Sequence, residues 1–145
     1  MDVLNVKILK CLQENARLSN AEIGRRVGIS SPAVSERIKK LEDSGVIEAY
    51  RTIVSPFEIG YQLKAIITLR AFIGMLKPFL EKVKTYNEVV NCYRITGEEN
   101  IVMEVVLKDH KHLEVFIDQL ISYGATKTQI VLSRIIKQKE LVPIK

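Results

Sequence analysis

A group of short polar and basic side chains between Ser30 and Gly45 has the types and spacing to contact DNA. Apolar Val34, Ile38 and Leu41 recur at i, i+4 and i+7, which predicts a helix with one buried face. On its opposite face, serine hydroxyls and lysine ammonium groups can reach base edges and phosphates in a major groove. A polar face that is merely solvated is the alternative interpretation. The predicted DNA contacts of this helix are Ser30, Ser31, Pro32, Ser35, Glu36, Arg37, Lys39 and Lys40.

Both ends of this helix are predicted by residues that favour helix termini. Ser30 or Ser31 can accept hydrogen bonds from the first free N–H groups, and Pro32 is tolerated in the first turn because an N–H there lacks an intrahelical partner. Gly45 suits the left-handed backbone that follows many helices. The sequence therefore predicts a short helix that begins and ends within this stretch.

A second short helix is predicted directly upstream. Ser19 and Glu22 have the spacing of a capping box, and Gly28 is placed to end the helix. Because the turn to the next helix is only three residues long, the two helices form a helix-turn-helix, with the downstream one in the DNA groove. Arg25 and Arg26 either complement the dipole at the end of the upstream helix or contact the DNA backbone.

The rest of the N-terminal part flanks this pair of helices. Residues 3–14 have helical apolar spacing, and Asp2 can cap them. Residues 46–54 (VIEAYRTIV) are rich in β-branched and aromatic residues, which predicts a short β-element that serves as a wing. Tyr50 and Arg51 would then lie near the groove rim, unless they form ordinary surface pairs of a strand. A linker is predicted at 55–61.

The second half of the chain alternates strand and helix patterns. Helical spacing begins at Leu76, with Pro78 in the first turn, and again after Asp109, with Gly124 predicted to end that second helix. Strands are predicted at 64–72, 89–96, 101–107 and 126–137. The order βαββαβ indicates a ferredoxin-like four-stranded sheet whose one face is covered by helices. Its other face is predicted to be apolar, which favours dimerisation. The fold class is thus α+β, with domains at 1–54 and 62–145.

Composition narrows the class of protein. The chain has 145 residues, of which 47% are hydrophobic and 27% charged, as in soluble globular proteins. A formal net charge of +5 favours an anionic partner. No apolar run is long enough to cross a membrane, and the N-terminus is unlike a signal peptide. A cytoplasmic location without membrane association is expected.

Residues that usually carry enzymatic or metal chemistry are sparse. Cys11 and Cys92 are far apart and belong to no CxxC pair, so both are expected to be buried structural thiols. His110 and His112 are the only histidines and lack a further ligand nearby, which argues against a metal site. The sequence has no glycine-rich phosphate loop and no recognisable nucleophile motif. No catalytic residue and no cofactor is predicted.

Taken together, three stretches resemble the Lrp/AsnC family of feast/famine transcription regulators. SNAEIGRRVGISSPAVSERIKKLEDSGVIEAY is similar to the family's helix-turn-helix, CYRITGEENIVMEV to a turn and strand of its amino-acid-responsive effector domain, and TKTQIVLS to another strand. The resemblance covers nearly the whole chain. It implies a winged helix joined to a βαββαβ domain, dimers assembled into rings such as octamers, and amino acids bound between effector domains.

The turn from Gly97 to Asn100 is the predicted amino-acid site. A glycine permits close backbone approach, free N–H groups in the turn can hold a carboxylate, and Glu98 or Glu99 can meet an ammonium group. Family members usually have aspartate where this chain has Asn100. An ordinary hairpin turn with solvated acids is the alternative interpretation. Candidates on the neighbouring strand are Thr126 and Thr128.

The leading hypothesis is a sequence-specific transcription regulator in the nucleoid, with double-stranded DNA, a second copy of itself and a small amino acid as partners. A second hypothesis is an architectural protein that wraps or bridges DNA by reading its shape and deformability. A third follows from resemblance alone, because siroheme decarboxylases share this two-domain layout. The scarcity of histidine argues against that enzyme.

Overall fold

A computed structural model describes residues 1–144 and divides the chain into two compact units. The first unit comprises Met1–Ile53 together with the segment that begins at Ile136, and the second comprises Val54–Ile135. The sequence analysis assigned everything after residue 61 to the second domain. In the structure, the segment that begins at Ile136 is grouped with the first unit.

The first unit is built from three helices, and each begins where the sequence analysis predicts. They are α1 (Val3–Glu14), α2 (Asn20–Val27) and α3 (Ser31–Asp43). The side chains of Asp2, Ser19 and Ser30 accept the capping hydrogen bonds, and Ser19 forms the complete capping box with Glu22. The three helices share a core of Ile8, Cys11, Leu12, Ile23, Val27, Val34 and Leu41.

The β-element predicted for residues 46–54 is absent from the structure, which has no strand there. β-Branched side chains favour an extended backbone, but a strand also needs a neighbour with which to pair its N–H and C=O groups. No described segment pairs with these residues. Tyr50 instead donates a hydrogen bond from its hydroxyl to Glu42 Oε1 in α3 (2.8 Å).

The second unit has the predicted βαββαβ order around one antiparallel sheet. The strands lie in the order β2-β3-β1-β4, so β2 and β4 are the edges. Short 3₁₀ helices are formed by Phe57–Ile59 and Val83–Thr85. The elements are β1 (Leu63–Ala71), α4 (Leu76–Lys82), β2 (Val89–Arg94), β3 (Ile101–Leu107), α5 (His110–Leu120) and β4 (Gly124–Ile130).

The helices cover one face of the sheet, but the other face is less apolar than predicted. Strand alternation places Ile67 and Leu69 of β1 in a core with Phe79 of α4 and Phe116 of α5. The helix-free face combines apolar Ile66, Val102 and Tyr93 with an ion pair between Lys64 Nζ and Glu104 Oε2 (3.0 Å). β4 adds Ala125, Lys127 and Gln129 to this face, so its apolar character comes from the other strands.

Two predictions around β4 are wrong. Gly124 does not end α5, because that helix ends at Leu120 and Gly124 begins β4. A Cβ at Gly124 would lie 2.4 Å from the carbonyl oxygen of Arg70, so the close approach of β1 requires glycine. The strand predicted up to residue 137 ends at Ile130, which pairs with Ala65; only Lys64 and Leu63 of β1 lie beyond that pair, so β1 is too short to support a strand up to residue 137.

Cys92 is exposed on edge strand β2, whereas Cys11 is buried as predicted. No helix of the described chain has the length and apolar character needed to cross a membrane.

Candidate DNA-binding surface and effector pocket

The turn between α2 and α3 is tightly closed around Gly24. The N–H groups of Gly28 and Ile29 both donate to the carbonyl oxygen of Gly24, at 2.8 and 3.1 Å, and Gly28 has the left-handed φ of 81°. A Cβ at Gly24 would lie 2.5 Å from the carbonyl oxygen of Ile29. Gly24 therefore allows α3 to follow α2 after so short a turn. The sequence analysis overlooked this residue, although a glycine inside a short helix is itself a signal of close packing.

The outer face of α3 is polar and exposed, as the sequence analysis predicts. Val34 and Leu41 are buried, whereas the residues predicted to face bases are open to solvent. The side chains of Ser31, Ser35 and Lys39 have no hydrogen-bonded partner in the described part of the chain, so their polar groups are available to a ligand. The exposed residues are Ser31, Pro32, Ser35, Glu36, Lys39 and Lys40. Ser30 is exposed too, but its hydroxyl caps the helix through Ala33 N.

Glu36 and Lys40 pair with each other on this face. Lys40 Nζ lies 2.7 Å from Glu36 Oε1, and this hydrogen bond lowers the pKa of Glu36 below its usual value. Both side chains are about 70% exposed, at 72% for Lys40 and 69% for Glu36. Exposed pairs of this kind are weak. Little free energy is therefore needed to separate them, and each group is open to another partner.

Arg37 makes hydrogen bonds to α1 and its N-cap within the first unit. Its Nη1 donates to Asp2 Oδ2 (2.6 Å) and to Asn5 Oδ1 (2.8 Å), both in the first turn of α1 or its cap. The hydrogen bond from Arg37 lowers the pKa of Asp2. Because the guanidinium is committed to α1, Arg37 fixes the position of α3 in the unit. The phosphate contact of Arg37 stays a prediction, and these hydrogen bonds give the residue a role in positioning α3 as well.

The other predicted DNA contacts divide into paired and unpaired groups. Arg26 Nη1 lies 3.5 Å from Glu14 Oε2, whereas Arg25 and Arg51 are exposed without a hydrogen-bonded partner among the described residues. Partial burial and the hydrogen bond to Glu42 raise the pKa of Tyr50 to about 12, so its hydroxyl remains a donor at neutral pH. Arg25 and Arg51 remain predictions for phosphate contacts, since neither guanidinium is hydrogen-bonded within the described chain, although Arg25 also interacts electrostatically with Glu22.

A small open pocket of about 110 Å³ lies in the second unit beside the turn that joins β2 and β3. It brings Thr126 together with Glu98 and Glu99, as predicted. Arg70, at the end of β1, also lines it and was missed by the sequence analysis. Strand alternation places Arg70, the penultimate residue of β1, on the helix-free face, but the sequence does not show that the β2–β3 turn lies beside it. The complete lining is Arg70, Glu98, Glu99, Ala125, Thr126 and Lys127.

Three predicted effector residues do not line this pocket. Asn100 has a structural role, because its Oδ1 accepts from Ala71 N (2.7 Å) and its own N–H donates to Leu69 O (3.0 Å). An aspartate could accept the same bond, so the departure from the family pattern preserves this contact. Gly97 has a φ of 113°, which suits the turn, and its role is conformational. Thr128 pairs with Ile67, farther along β4.

The charges of the pocket are partly matched within the unit. Lys127 Nζ lies 2.5 Å from Glu99 Oε1, and this pair lowers the pKa of Glu99 and raises that of Lys127. Arg70 and Glu98 have no hydrogen-bonded side-chain partner among the described residues. Arg70 and Glu98 also interact electrostatically with Glu99 and Lys127, respectively, but their own hydrogen-bonding groups are open, and these suit the carboxylate and ammonium ends of an amino acid. Among residues 1–144, no cluster of side chains suited to a metal is found.

Comparisons with known proteins agree with both halves of this description. Residues 1–48 match the winged helix-turn-helix DNA-binding family, and residues 64–141 match the Lrp/AsnC ligand binding domain. An HTH-type transcriptional regulator of Methanocaldococcus jannaschii is 34% identical over 148 residues, which covers 99% of each chain. The HTH-type transcriptional regulator FL11 of Pyrococcus furiosus is 30% identical and covers 100% of this chain and 97% of its own.

Solved structures give the same result for the fold. The transcriptional regulator NMB0573 from Neisseria meningitidis, in complex with L-Met, superposes with a TM-score of 0.92 and 30% identity, covering 97% of this chain and 96% of that one. LrpC of Bacillus subtilis superposes with a TM-score of 0.90 and 27% identity, covering 95% of this chain and 99% of that one. The layout of both units is thus shared with known regulators.

Proposed function

The chain belongs to the Lrp/AsnC family of HTH-type transcriptional regulators, and on that premise we propose that it binds specific DNA sequences through α3 and responds to an amino acid in the second unit. The exposed face of α3 is the observation that supports this most. It presents Ser31, Ser35 and Lys39 unpaired, on a helix whose position is fixed by Arg37. A rigid helix with short polar side chains and a free cation suits the major groove.

The pocket beside the β2–β3 turn is the proposed effector site. Arg70 would bind the carboxylate and Glu98 the ammonium group of an amino acid, and Thr126 adds a hydroxyl. The L-Met complex of the Neisseria meningitidis regulator supports this class of ligand. Because Arg70, Ala125 and Lys127 face the helix-free side of the sheet, a second copy packed there would border the bound ligand.

We also propose that the protein acts as a dimer that assembles into larger rings, such as an octamer, in the cytoplasm with the nucleoid. The helix-free face offers Ile66, Val102 and Tyr93 to a second copy. A dimer places two copies of α3 on two half-sites, roughly 10 base pairs or a multiple of that apart.

The test is selection of bound fragments from a random DNA library, repeated with and without pooled amino acids. A single enriched motif, altered in occupancy by the amino acids, is the expected result. Lys39→Ala should weaken binding, whereas Lys108→Ala, at an exposed lysine of the second unit, should not. Recovery of unrelated fragments at similar affinity would contradict sequence-specific regulation and indicate an architectural protein.

A further inference from the structure

The C-terminal segment of the first unit is attached to α1 by a reciprocal pair of hydrogen bonds. Leu141 N donates to Gln13 Oε1 (2.8 Å), and Gln13 Nε2 donates to Leu141 O (3.0 Å). The Gln13 carboxamide thereby binds both the N–H and the C=O of Leu141, as the backbone of a neighbouring strand would. Leu141 and Val142 remain 81% and 78% exposed, so these two bonds, rather than burial of apolar side chains, define the contact.

This attachment gives the chain a second connection between the sheet and the DNA-binding unit. The first connection is the linker before β1, and the second is the segment that follows β4. Ala65 of β1 pairs with Ile130 of β4, and Val131 N donates to Lys64 O (2.9 Å). Both connections therefore leave the sheet at the same end of two neighbouring strands.

The proposed effector pocket lies at the opposite end of the same two strands. Arg70 comes from β1, and Thr126 and Lys127 come from β4. The two strands are in close contact there, since Gly124 lies against the carbonyl oxygen of Arg70. A ligand that contacts both strands can bias their relative position, and the paired strands β1 and β4 join the pocket to the ends from which the two connections leave.

We propose that the Gln13 carboxamide is the docking site for the C-terminal segment, and that docking transmits the position of β4 to the DNA-binding unit. From α1 the restraint reaches the recognition helix through Asp2 and Asn5, which hold Arg37. The transmission from the pocket rests on the proposed function, whereas the docking itself does not. A docked segment restrains the first unit before DNA binds, so less conformational freedom is lost on binding.

The first measurement is amide hydrogen exchange of Leu141 in the full-length protein. Gln13→Ala should accelerate this exchange by roughly fivefold or more, because both hydrogen bonds of the residue lose their partner. Gln119→Ala, at an exposed glutamine of α5, is the matched control and should leave it unchanged. A Leu141 amide that exchanges at the same rate in the wild type and in Gln13→Ala would overturn the docking.

The second measurement is affinity for a random-sequence duplex at fixed salt. Gln13→Ala and a chain that ends at Lys137 should each bind roughly threefold to tenfold more weakly, and their combination should bind no more weakly than either alone. Additive losses would show that Gln13 acts without the segment. Unchanged affinity in both variants would show that docking does not restrain the DNA-binding unit. Either result overturns the proposal.

The third measurement tests transmission without requiring a ligand. Gly124→Ala displaces β4 from β1 beside the pocket, and it should change the exchange rate of Leu141. If that variant does not fold, Val131→Pro, which removes the hydrogen bond from Val131 N to Lys64 O where β4 ends, replaces it. No change at Leu141 with a folded variant would overturn the transmission. Calorimetry with each common L-amino acid is run separately, so absence of binding heat contradicts the effector proposal while the exchange and affinity results still decide the docking.

Discussion

Replacement of Gly24 by alanine is expected to destabilise the first unit, although alanine is the better helix former. In the interior of a helix, this replacement alone stabilises by about 1 kcal/mol. Here the added methyl would lie 2.5 Å from the carbonyl oxygen of Ile29, and that oxygen belongs to the backbone of the turn. It cannot rotate away as a side chain would, so α3 must shift.

The net effect follows from these two opposing terms. Overpacking of a closely packed site costs roughly 1 to 3 kcal/mol, and contact with backbone places Gly24→Ala at the upper end of that range. Subtraction of the helix-propensity gain leaves a destabilisation of about 1 to 2 kcal/mol. For a unit of this size, the midpoint of thermal unfolding should fall by roughly 5 to 15 °C.

The assay is urea unfolding followed by NMR signals that belong to each unit, with Ile23 reporting on the first and Ile67 on the second. Only the first unit should lose stability, and DNA affinity should fall because α3 is displaced. Ala21→Gly, at an exposed position of the same helix, is the control for propensity and should destabilise without altering the DNA motif. If Gly24→Ala stabilises the first unit by the propensity term, the contact with Ile29 does not constrain the turn and the argument is refuted.

Three further predictions concern polar contacts described above. Glu36→Ala should leave binding to random DNA unchanged or tighter, and it should lose roughly tenfold discrimination at one base per half-site in competition binding. In the same assay, Lys40→Ala should weaken binding to all sequences and flatten the salt dependence of the affinity. An unchanged DNA motif in Glu36→Ala would show that Glu36 has only its intramolecular partner. Asn100→Ala should destabilise the second unit by about 1 to 3 kcal/mol in urea unfolding because Ala71 N loses its acceptor, and Asn100→Asp should be nearly neutral; equal losses in both would contradict this role. Arg37 lowers the pKa of Asp2 below its ordinary 3.8, so the stability that this pair contributes is present above about pH 4 and is lost as pH falls through the lowered pKa. Asp2→Asn should remove this acid-dependent loss of stability, measured by unfolding of the first unit as a function of pH.

The parts of the structure that depend on local signals were predictable from the sequence. Three helix starts are predicted from capping residues, and each cap forms in the structure. These caps are Ser19 with Glu22, Ser30, and Asp109. The order of strands and helices follows from hydrophobic periodicity in the same way. Each of these signals involves residues only a few positions apart, so a short stretch of sequence contains both partners of the interaction.

Features that depend on a distant neighbour were not predictable in this way. From the sequence of α3 alone, Arg37 is expected to be an exposed cation. Its partner is Asp2, the N-cap of α1, which is distant in the sequence. Arg70 joins the pocket because the β2–β3 turn lies beside the end of β1, which sequence spacing does not encode. The predicted wing failed for the converse reason, since strand-forming residues need a pairing segment from elsewhere.

The mixed helix-free face bears on how firmly two copies would hold each other. The ion pair of Lys64 and Glu104 is about one-third exposed in the single chain, at 30% and 33%, and a second copy packed over it would remove the remaining water. Desolvation of paired charges offsets part of the gain from covering Ile66 and Val102. Alignments that leave these charges in contact with water or with each other are favoured over those that bury them against apolar groups. In the proposed dimer, such a face would restrict the mutual orientation of the two copies and hold them less firmly than a wholly apolar face of the same size.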